Sequence, residues 1–494
     1  MLRTTALIIL SFLTWQAAAG NFDFLPAQSG AEKEFRAMME SGDFKHAALA
    51  WGNSFGSTAF GQSQDGTAVW AYLLYQNGLP YTGLQTLIQF TQPKQLNPSL
   101  VKLWTIELKN SPLIQKSYVI TTGGWKSIVF NDSFTIKIRS KVDVARQFAY
   151  AQKIAADNPN QRTRVLWQIA NQAPQFNDVD SALKALKLIK ESGQTLIGSD
   201  LVTMTQARVL YQKGELDAAL NTYQQIPKSS DLWLDAVEER AWTHLRKEDY
   251  DKALGVTTTA LTPVFASLAT PETFFLSNLM SLRTCDYKRL FETSEVFKTR
   301  QRQRLQDMQE LASKGSNRLT GTLLARFEKN GVSVASAGPD VGALPHGIFR
   351  DQQFVHAIET RRILLSEITA AGTLFEDAKV LGGNREFDAI LSQNKIKAER
   401  LKQLATQRAS KMAQTDLKEY RVILNKMHIL EAEVIERLHL DDNLKGERSK
   451  LSKNEPTNSD TLVFPYTTAE VWMDELDNYE ARVKDCPTLK GASL

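Results

Sequence analysis

The chain has 494 residues, and its six histidines and two cysteines rarely stand where their chemistry would need them. An H-E-x-x-H metal motif does not occur in the sequence. His356-Ala-Ile-Glu359 has the i, i+3 spacing that lets a helix present two metal ligands, yet nothing close in sequence completes a ligand set. A solvated pair is the expectation there, as it is for His439-Leu-Asp-Asp442 at a helix end. Gly123-Gly-Trp-Lys-Ser127 has residues of a phosphate loop without the G-x-x-x-x-G-K-[ST] spacing that cradles one. G-x-S-x-G is missing too, and neither cysteine has a histidine near it in sequence, so no nucleophile is set beside a base. The reading is a non-enzymatic chain without catalytic residues, metal ligands or a cofactor site. Cys285 and Cys486 have a different use. In an oxidising compartment two such cysteines are expected to bridge, and in the chain-entropy model so long a loop stabilises by about 4–5 kcal/mol.

What must position any site is a folded chain of ordinary composition. Hydrophobic residues make up 43% and charged residues 23%, which excludes a mainly disordered chain, a collagen-like fibre and a multi-spanning membrane protein. Lys plus Arg number 59 against 55 Asp plus Glu, and the net +4 is too mild to imply nucleic acid. The first residues read as an address. Met1–Arg3 is basic, Thr4 to Trp15 is mostly apolar, and Ala17 and Ala19 supply small residues for cleavage, which marks 1–19 as a secretory signal peptide. No later stretch approaches 18 consecutive apolar residues, so the mature chain is expected to have no transmembrane segment. A pair of cysteines without a larger framework fits a bacterial periplasm.

The middle of the chain repeats itself. Ala207-Arg-Val-Leu-Tyr-Gln-Lys-Gly214 continues through Glu-Leu-Asp-Ala-Ala219, and Ala241-Trp-Thr-His-Leu-Arg-Lys-Glu248 continues through Asp-Tyr-Asp-Lys-Ala253. Both alanine pairs recur after 34 residues. Weaker copies surround Ser41-Gly-Asp-Phe-Lys-His-Ala47, Ala71 to Leu87 through Gly78, Ala170 to Ala182 through Asp178, and Asn278 to Leu290 through Cys285-Asp-Tyr287. Close helix crossings call for small side chains, and the turn between them wants a residue tolerant of non-helical angles, followed by an acid. Ile114–Arg139 breaks the pattern. Its turn pairs and the alternation of Phe134-Thr-Ile-Lys-Ile138 suggest a small β insertion near 114–139.

Beyond Phe297 the character changes to long charged helices. Lys298–Lys329 has eight Lys/Arg against three acids, and Lys395–Lys453 has 14 against nine. Ala413, Leu417, Tyr420, Leu424, Met427, Val434 and Leu438 keep 3/4 spacing, with Glu431 interrupting the seam. This predicts a coiled-coil hairpin, antiparallel to the preceding helix through Gly382-Gly383. The basic excess reads as a solvated face, with lipid headgroups, an acidic partner or cell-wall polymer as the other readings. Near the end, the Thr467-Thr-Ala-Glu470 capping box predicts a helix over 468–485, its stripe of Val471, Trp472, Leu476, Tyr479 and Val483 docking back on the body. The resulting layout is a signal peptide at 1–19, helical repeats at 20–296, a long-helix coiled coil at 297–454, and a linker with C-terminal helix at 455–494.

The 34-residue period and its small residues resemble the tetratricopeptide repeat, over roughly 31–110 and 160–295. Pro271-Glu-Thr-Phe-Phe275, then Arg283-Thr-Cys285-Asp-Tyr287, then Phe464-Pro-Tyr-x-Thr-x-Glu-Val-Trp472-x-Asp-Glu-Leu476-x-x-Tyr479, look like exported repeat proteins of gliding and predatory delta-proteobacteria. The resemblance implies an all-α fold, a tetratricopeptide-like α-solenoid, without enzymatic activity and, in the narrower group, association with envelope motility machinery. Stacked helix pairs leave a curved trough for a peptide or helix. Arg208, Tyr211, Gln212 and Arg240 are the partner-binding candidates, on first helices facing that trough. The function expected is an exported scaffold for a protein or peptide partner in the bacterial envelope. The rivals are a cell-wall-acting enzyme on a helical solenoid and a structural spacer between membrane and wall.

Overall fold

The computed structural model describes residues 22–130, 138–154, 159–193, 196–265, 268–381, 385–440, 464–465 and 476–480. The expected signal peptide lies outside them. The described residues are all-α, with twenty α-helices and one two-stranded pairing of two residues each. The chain divides into two compact units, residues 1–135 with 356–403, and residues 136–355 with 404–494.

The first unit contains α1 (Gly30–Ser41), α2 (Phe44–Asn53), α3 (Gln64–Gln76), α4 (Pro80–Phe90), α5 (Pro98–Asn110), α6 (Pro112–Gln115) and α7 (Gly123–Phe130). The second contains α8 (Lys141–Lys153), α9 (Pro159–Gln172), α10 (Val179–Glu191), α11 (Ser199–Lys213), α12 (Leu216–Tyr223), α13 (Trp233–Arg246), α14 (Tyr250–Leu261), α15 (Pro271–Arg283), α16 (Tyr287–Lys314), α17 (Thr320–Asn330) and α18 (Val334–Ala337). Two long helices follow, α19 (Gln352–Val380) and α20 (Arg385–Leu440), and then β1 (Phe464–Pro465) and β2 (Tyr479–Glu480).

Six turns explain the helix pairs. α1/α2, α3/α4, α9/α10, α11/α12, α13/α14 and α15/α16 pack against each other across short turns. Each turn has one residue with left-handed backbone, namely Gly42, Gly78, Asn177, Gly214, Glu248 and Cys285. An acid follows in five of the six, and Asp43, Asp178, Asp249 and Asp286 each accept an N–H bond from the first turn of the next helix. The left-handed residue stops the first helix and the acid caps the second, so the chain reverses on itself. Ala47, Ala71, Ala182, Ala207, Ala219, Ala241 and Ala253 are fully buried, as close backbone approach demands.

Gly83 gives the closest approach a number. A Cβ there would stand 2.5 Å from the Ala71 carbonyl oxygen and 2.9 Å from the Tyr75 nitrogen. Alanine gains about 0.5–1 kcal/mol in a helix, but forcing atoms into a full crossing costs about 1–3 kcal/mol. The clash wins, and Gly83→Ala should lose about 1–2 kcal/mol in urea denaturation followed by circular dichroism. A variant as stable as the parent would show that α3 and α4 do not cross so tightly.

Aromatic side chains fill the first unit. Phe35 stacks on Phe55 at 4.1 Å, Trp51 on Trp70 at 5.9 Å, and Trp70 meets Phe387 at 5.7 Å. Buried Trp104 donates its indole N–H to the Ala68 carbonyl at 3.1 Å. In the second unit Phe297 stacks on Tyr420 at 5.0 Å beside Phe274.

Three expectations need correction. The β insertion is not seen over 114–130, where Gly123–Phe130 is helical. Trp125 and Ile128 are three apart, which puts them on one face of a helix and on opposite faces of a strand. Trp125 is buried and its indole donates to Thr91 at 3.2 Å (O) and 3.1 Å (Oγ1), which fixes the helix. Residues 131–137, where the alternation was strictest, lie outside the described residues. The C-terminal helix is not seen at 476–480: Leu476-Asp477 is a turn, and Tyr479-Glu480 pairs in parallel with Phe464-Pro465. The rest of 468–485 lies outside the described residues.

The third correction concerns the partner of the seam on α20. α19 and α20 do run antiparallel, since Asp351 pairs with Arg408 in the second unit, while in the first Arg361 reaches the Ala398 carbonyl and Glu367 meets Asn394. But α19 has 29 residues and α20 has 56, so the last half of α20 has no partner in α19. Tyr420, Ile423, Met427, Leu430 and Val434 pack instead with Phe274, Leu282, Leu290 and Phe297 of α15 and α16. Glu431 bonds Lys298 at 3.1 Å, which accommodates the break in the seam. Among the described residues no helix is long and apolar enough to cross a membrane.

Candidate functional site

The four partner-binding candidates lie on α11 and α13 of the second unit, and each has a partner within the chain. The Arg208 guanidinium forks onto Glu239, with Nε 3.0 Å from each carboxylate oxygen and Nη2 2.6 Å from Oε1. Glu239 also accepts the Tyr223 hydroxyl at 2.8 Å. Burial first, then the Glu239 carboxylate, pushes the Tyr223 phenol far above its ordinary value. Tyr211 lies under Arg246, whose guanidinium carbon is 4.9 Å from the ring centre. Gln212 donates to the Pro174 carbonyl at 3.2 Å. Arg208, Tyr211 and Gln212 thus join adjacent helices, while Arg208, Gln212 and Arg246 remain exposed around Tyr211.

Arg240 is different. Its side chain is only 4% exposed, and it grips Asp477. Nη1 is 2.7 Å from Asp477 Oδ2, and Nη2 bonds Oδ1. The Asp477 N–H donates to Thr259 Oγ1 at 2.9 Å, and Lys228 Nζ donates to the Leu476 carbonyl at 2.9 Å. Leu476 is buried in the apolar cluster that contains Trp233, Val237, Leu254 and Met280. Side-chain fork, backbone anchors and apolar socket come from α13, α14 and the α12–α13 loop.

A second feature of this unit is a cavity of about 320 Å³. Its walls include Glu238 of α13, Arg304 of α16, His346, and Asp416 and Tyr420 of α20. Asp416 accepts the His346 backbone N–H at 2.6 Å and stands 3.6 Å from Arg304. Burial raises its carboxyl to about 6 against the pull of that N–H and of Arg304. Burial also raises Glu238, whose carboxylate accepts the Thr270 and Thr273 hydroxyls. Two carboxyl groups that burial raises, both on the wall of one cavity, are the kind of pair that acid chemistry uses.

Other sequence candidates are kept apart. His356 bonds the Ser117 carbonyl at 2.9 Å, and Glu359 bonds Arg362 at 2.9 Å, so the two look to different partners. Gly123–Ser127 lies in α7, with Ser127 capping back onto the Gly124 carbonyl. Among the described residues no group of three or more His, Cys, Asp or Glu is placed to hold a metal. Cys285 is disulfide-bonded and 3.3 Å from the Tyr287 hydroxyl; Cys486 lies outside the described residues.

Sequence reasoning found Arg240 but missed Asp477, which lies 237 positions away and carries no local signal. It also missed Asp416, Glu238 and Arg304, since each reads as an ordinary charge on a helix. Compared with known proteins, the chain matches no family model and no curated protein.

Proposed function

We propose that the chain is an exported, non-enzymatic scaffold whose tetratricopeptide-like helix pairs bind a protein partner in a bacterial envelope. One observation supports this best: the α13–α14 surface holds a short non-helical stretch of polypeptide, Leu476-Asp477, by a guanidinium fork, two backbone anchors and an apolar socket. That is how a surface recognises a peptide. Arg208, Tyr211, Gln212 and Arg246 add a polar and aromatic patch on α11 and α13 of the same unit. The N-terminal signal supports export, and the 34-residue period supports the repeat reading. Quantitative cross-linking of the mature chain in envelope extract tests it. One identified protein should be captured, and the Arg208→Glu/Tyr211→Ala variant should lose at least 10-fold of that capture. Equal capture by both forms would overturn the reading.

The cavity favours one second reading, an enzyme acting on cell wall, with Glu238 and Asp416 as its acids. Fragments released from purified peptidoglycan by the parent and not by Asp416→Asn would establish it.

A further inference from the structure

We propose that the Arg240 socket is an exchangeable recognition site for a partner segment presenting an apolar residue followed by aspartate, and that Leu476-Asp477 is its built-in competitor. The inference rests on the scaffold reading and names its partner's chemistry.

The socket cannot stand empty at low cost. Arg240 is buried, both its terminal nitrogens are on Asp477, and among the described residues its Nε has no hydrogen-bond partner. Removing Asp477 would leave a buried cation with no counter-charge and open an apolar hole where Leu476 was. Only a segment that brings both a carboxylate and an apolar side chain can replace it. The geometry also sets the spacing. Thr259 Oγ1 takes the N–H of the acid and Lys228 takes the carbonyl of the residue before it, so the two side chains must be adjacent. A glutamate would place its carboxylate one methylene too far, and asparagine would lack the charge. Lys228 further favours an acidic segment.

The resident segment is an imperfect ligand. Asp477 has φ +77°, a left-handed conformation that a residue with a side chain adopts at a cost. The chain accepts that cost to deliver Asp477 from its own backbone path. A partner segment that presents aspartate from ordinary extended backbone avoids it and can displace the resident one.

The test uses the full mature chain and a fluorescein-labelled peptide of residues 472–482, read by anisotropy. Asp477→Ala should bind the peptide at least 10-fold more tightly than the parent, whose socket is filled. Adding Arg240→Ala should remove that gain, and a peptide with Asp477→Asn should bind at least 10-fold more weakly. Equal binding by parent and Asp477→Ala, or binding indifferent to Arg240, would overturn the proposal. Asp477→Asn is the second variant. If both variants lose their helical circular dichroism, and peptide does not restore it, the segment is a fixed part of the core and the proposal also fails. Peptide exchange that fails while envelope capture persists removes the competitor and leaves the scaffold; the reverse outcome removes the scaffold reading alone.

Discussion

Asp477→Ala should destabilise the chain by about 3 kcal/mol, the lower end of what breaking a buried ion pair costs. The lower end applies because Asp477 keeps 22% of its side-chain exposure while Arg240 keeps 4%. The loss comes less from the bond itself than from the guanidinium left behind without a counter-charge. Arg240→Leu should cost less, because the stranded group is then the more exposed carboxylate, with Lys228 close by. In the double variant Arg240→Leu/Asp477→Ala neither charge is stranded. Its loss should fall short of the sum of the single losses by about 1.5–2 kcal/mol. Urea denaturation of the four proteins measures this, and single effects that simply add would mean the fork carries no coupling. The asymmetry matters for function. A socket that penalises vacancy but tolerates substitution of its occupant by a like segment is suited to exchange.

The helix pairs were legible in the sequence because local rules and tertiary packing agree there. Gly42, Gly78 and Gly214 announce left-handed turns, and Asp43, Asp178, Asp249 and Asp286 announce helix starts. Ala207 and Ala241 mark crossings by being small. Glu248 and Cys285 take the same backbone conformation without announcing it; only their alignment with Gly214 reveals the position. Where local and distant forces disagree, the sequence misleads. The stripe through Leu476 and Tyr479 satisfies helical spacing, yet Arg240 and Thr259 hold Asp477 in a left-handed turn that no helix contains. Likewise the seam on α20 has the right period, but period says nothing about which surface fills it. The candidate site shares this limit. Arg240 is visible as a first-helix arginine, whereas its partner is fixed only by the path of a chain 237 residues further on.

In the first unit, stability should fall as pH rises from about 5 to 8, and Glu367→Gln should abolish most of that fall. Glu367 of α19 has no solvent exposure. It sits at the start of α4, accepting the Tyr81 N–H, the Thr82 hydroxyl, and the Thr82 N–H at 3.2 Å. Asn394 Nδ2 lies 3.4 Å from the same carboxyl and donates to Thr82 Oγ1 at 3.0 Å. Burial opposes the charged form, while these donors and Lys397 favour it. Burial wins, and the carboxyl is raised to about 7. Lys397 and Tyr81 are the other titratable groups beside it, and burial lowers the first and raises the second. The sign follows from proton counting. The unfolded carboxyl, near 4.5, releases its proton first, and the folded one holds it until about pH 7. The stabilisation is therefore complete below pH 4.5, declines between the two values, and is gone above 7. Its size is on the order of 3 kcal/mol. Glutamine resembles the protonated acid at every pH, so the variant should match the parent near pH 5 within about 1 kcal/mol and be the more stable protein near pH 8. Other raised carboxyls such as Asp416 and Glu107 contribute equally to both proteins and cancel in the comparison. Urea denaturation of parent and variant at pH 5 and pH 8 gives the answer. The same loss in both would mean that Glu367 is ionised in the folded chain throughout, held so by the four donors around it.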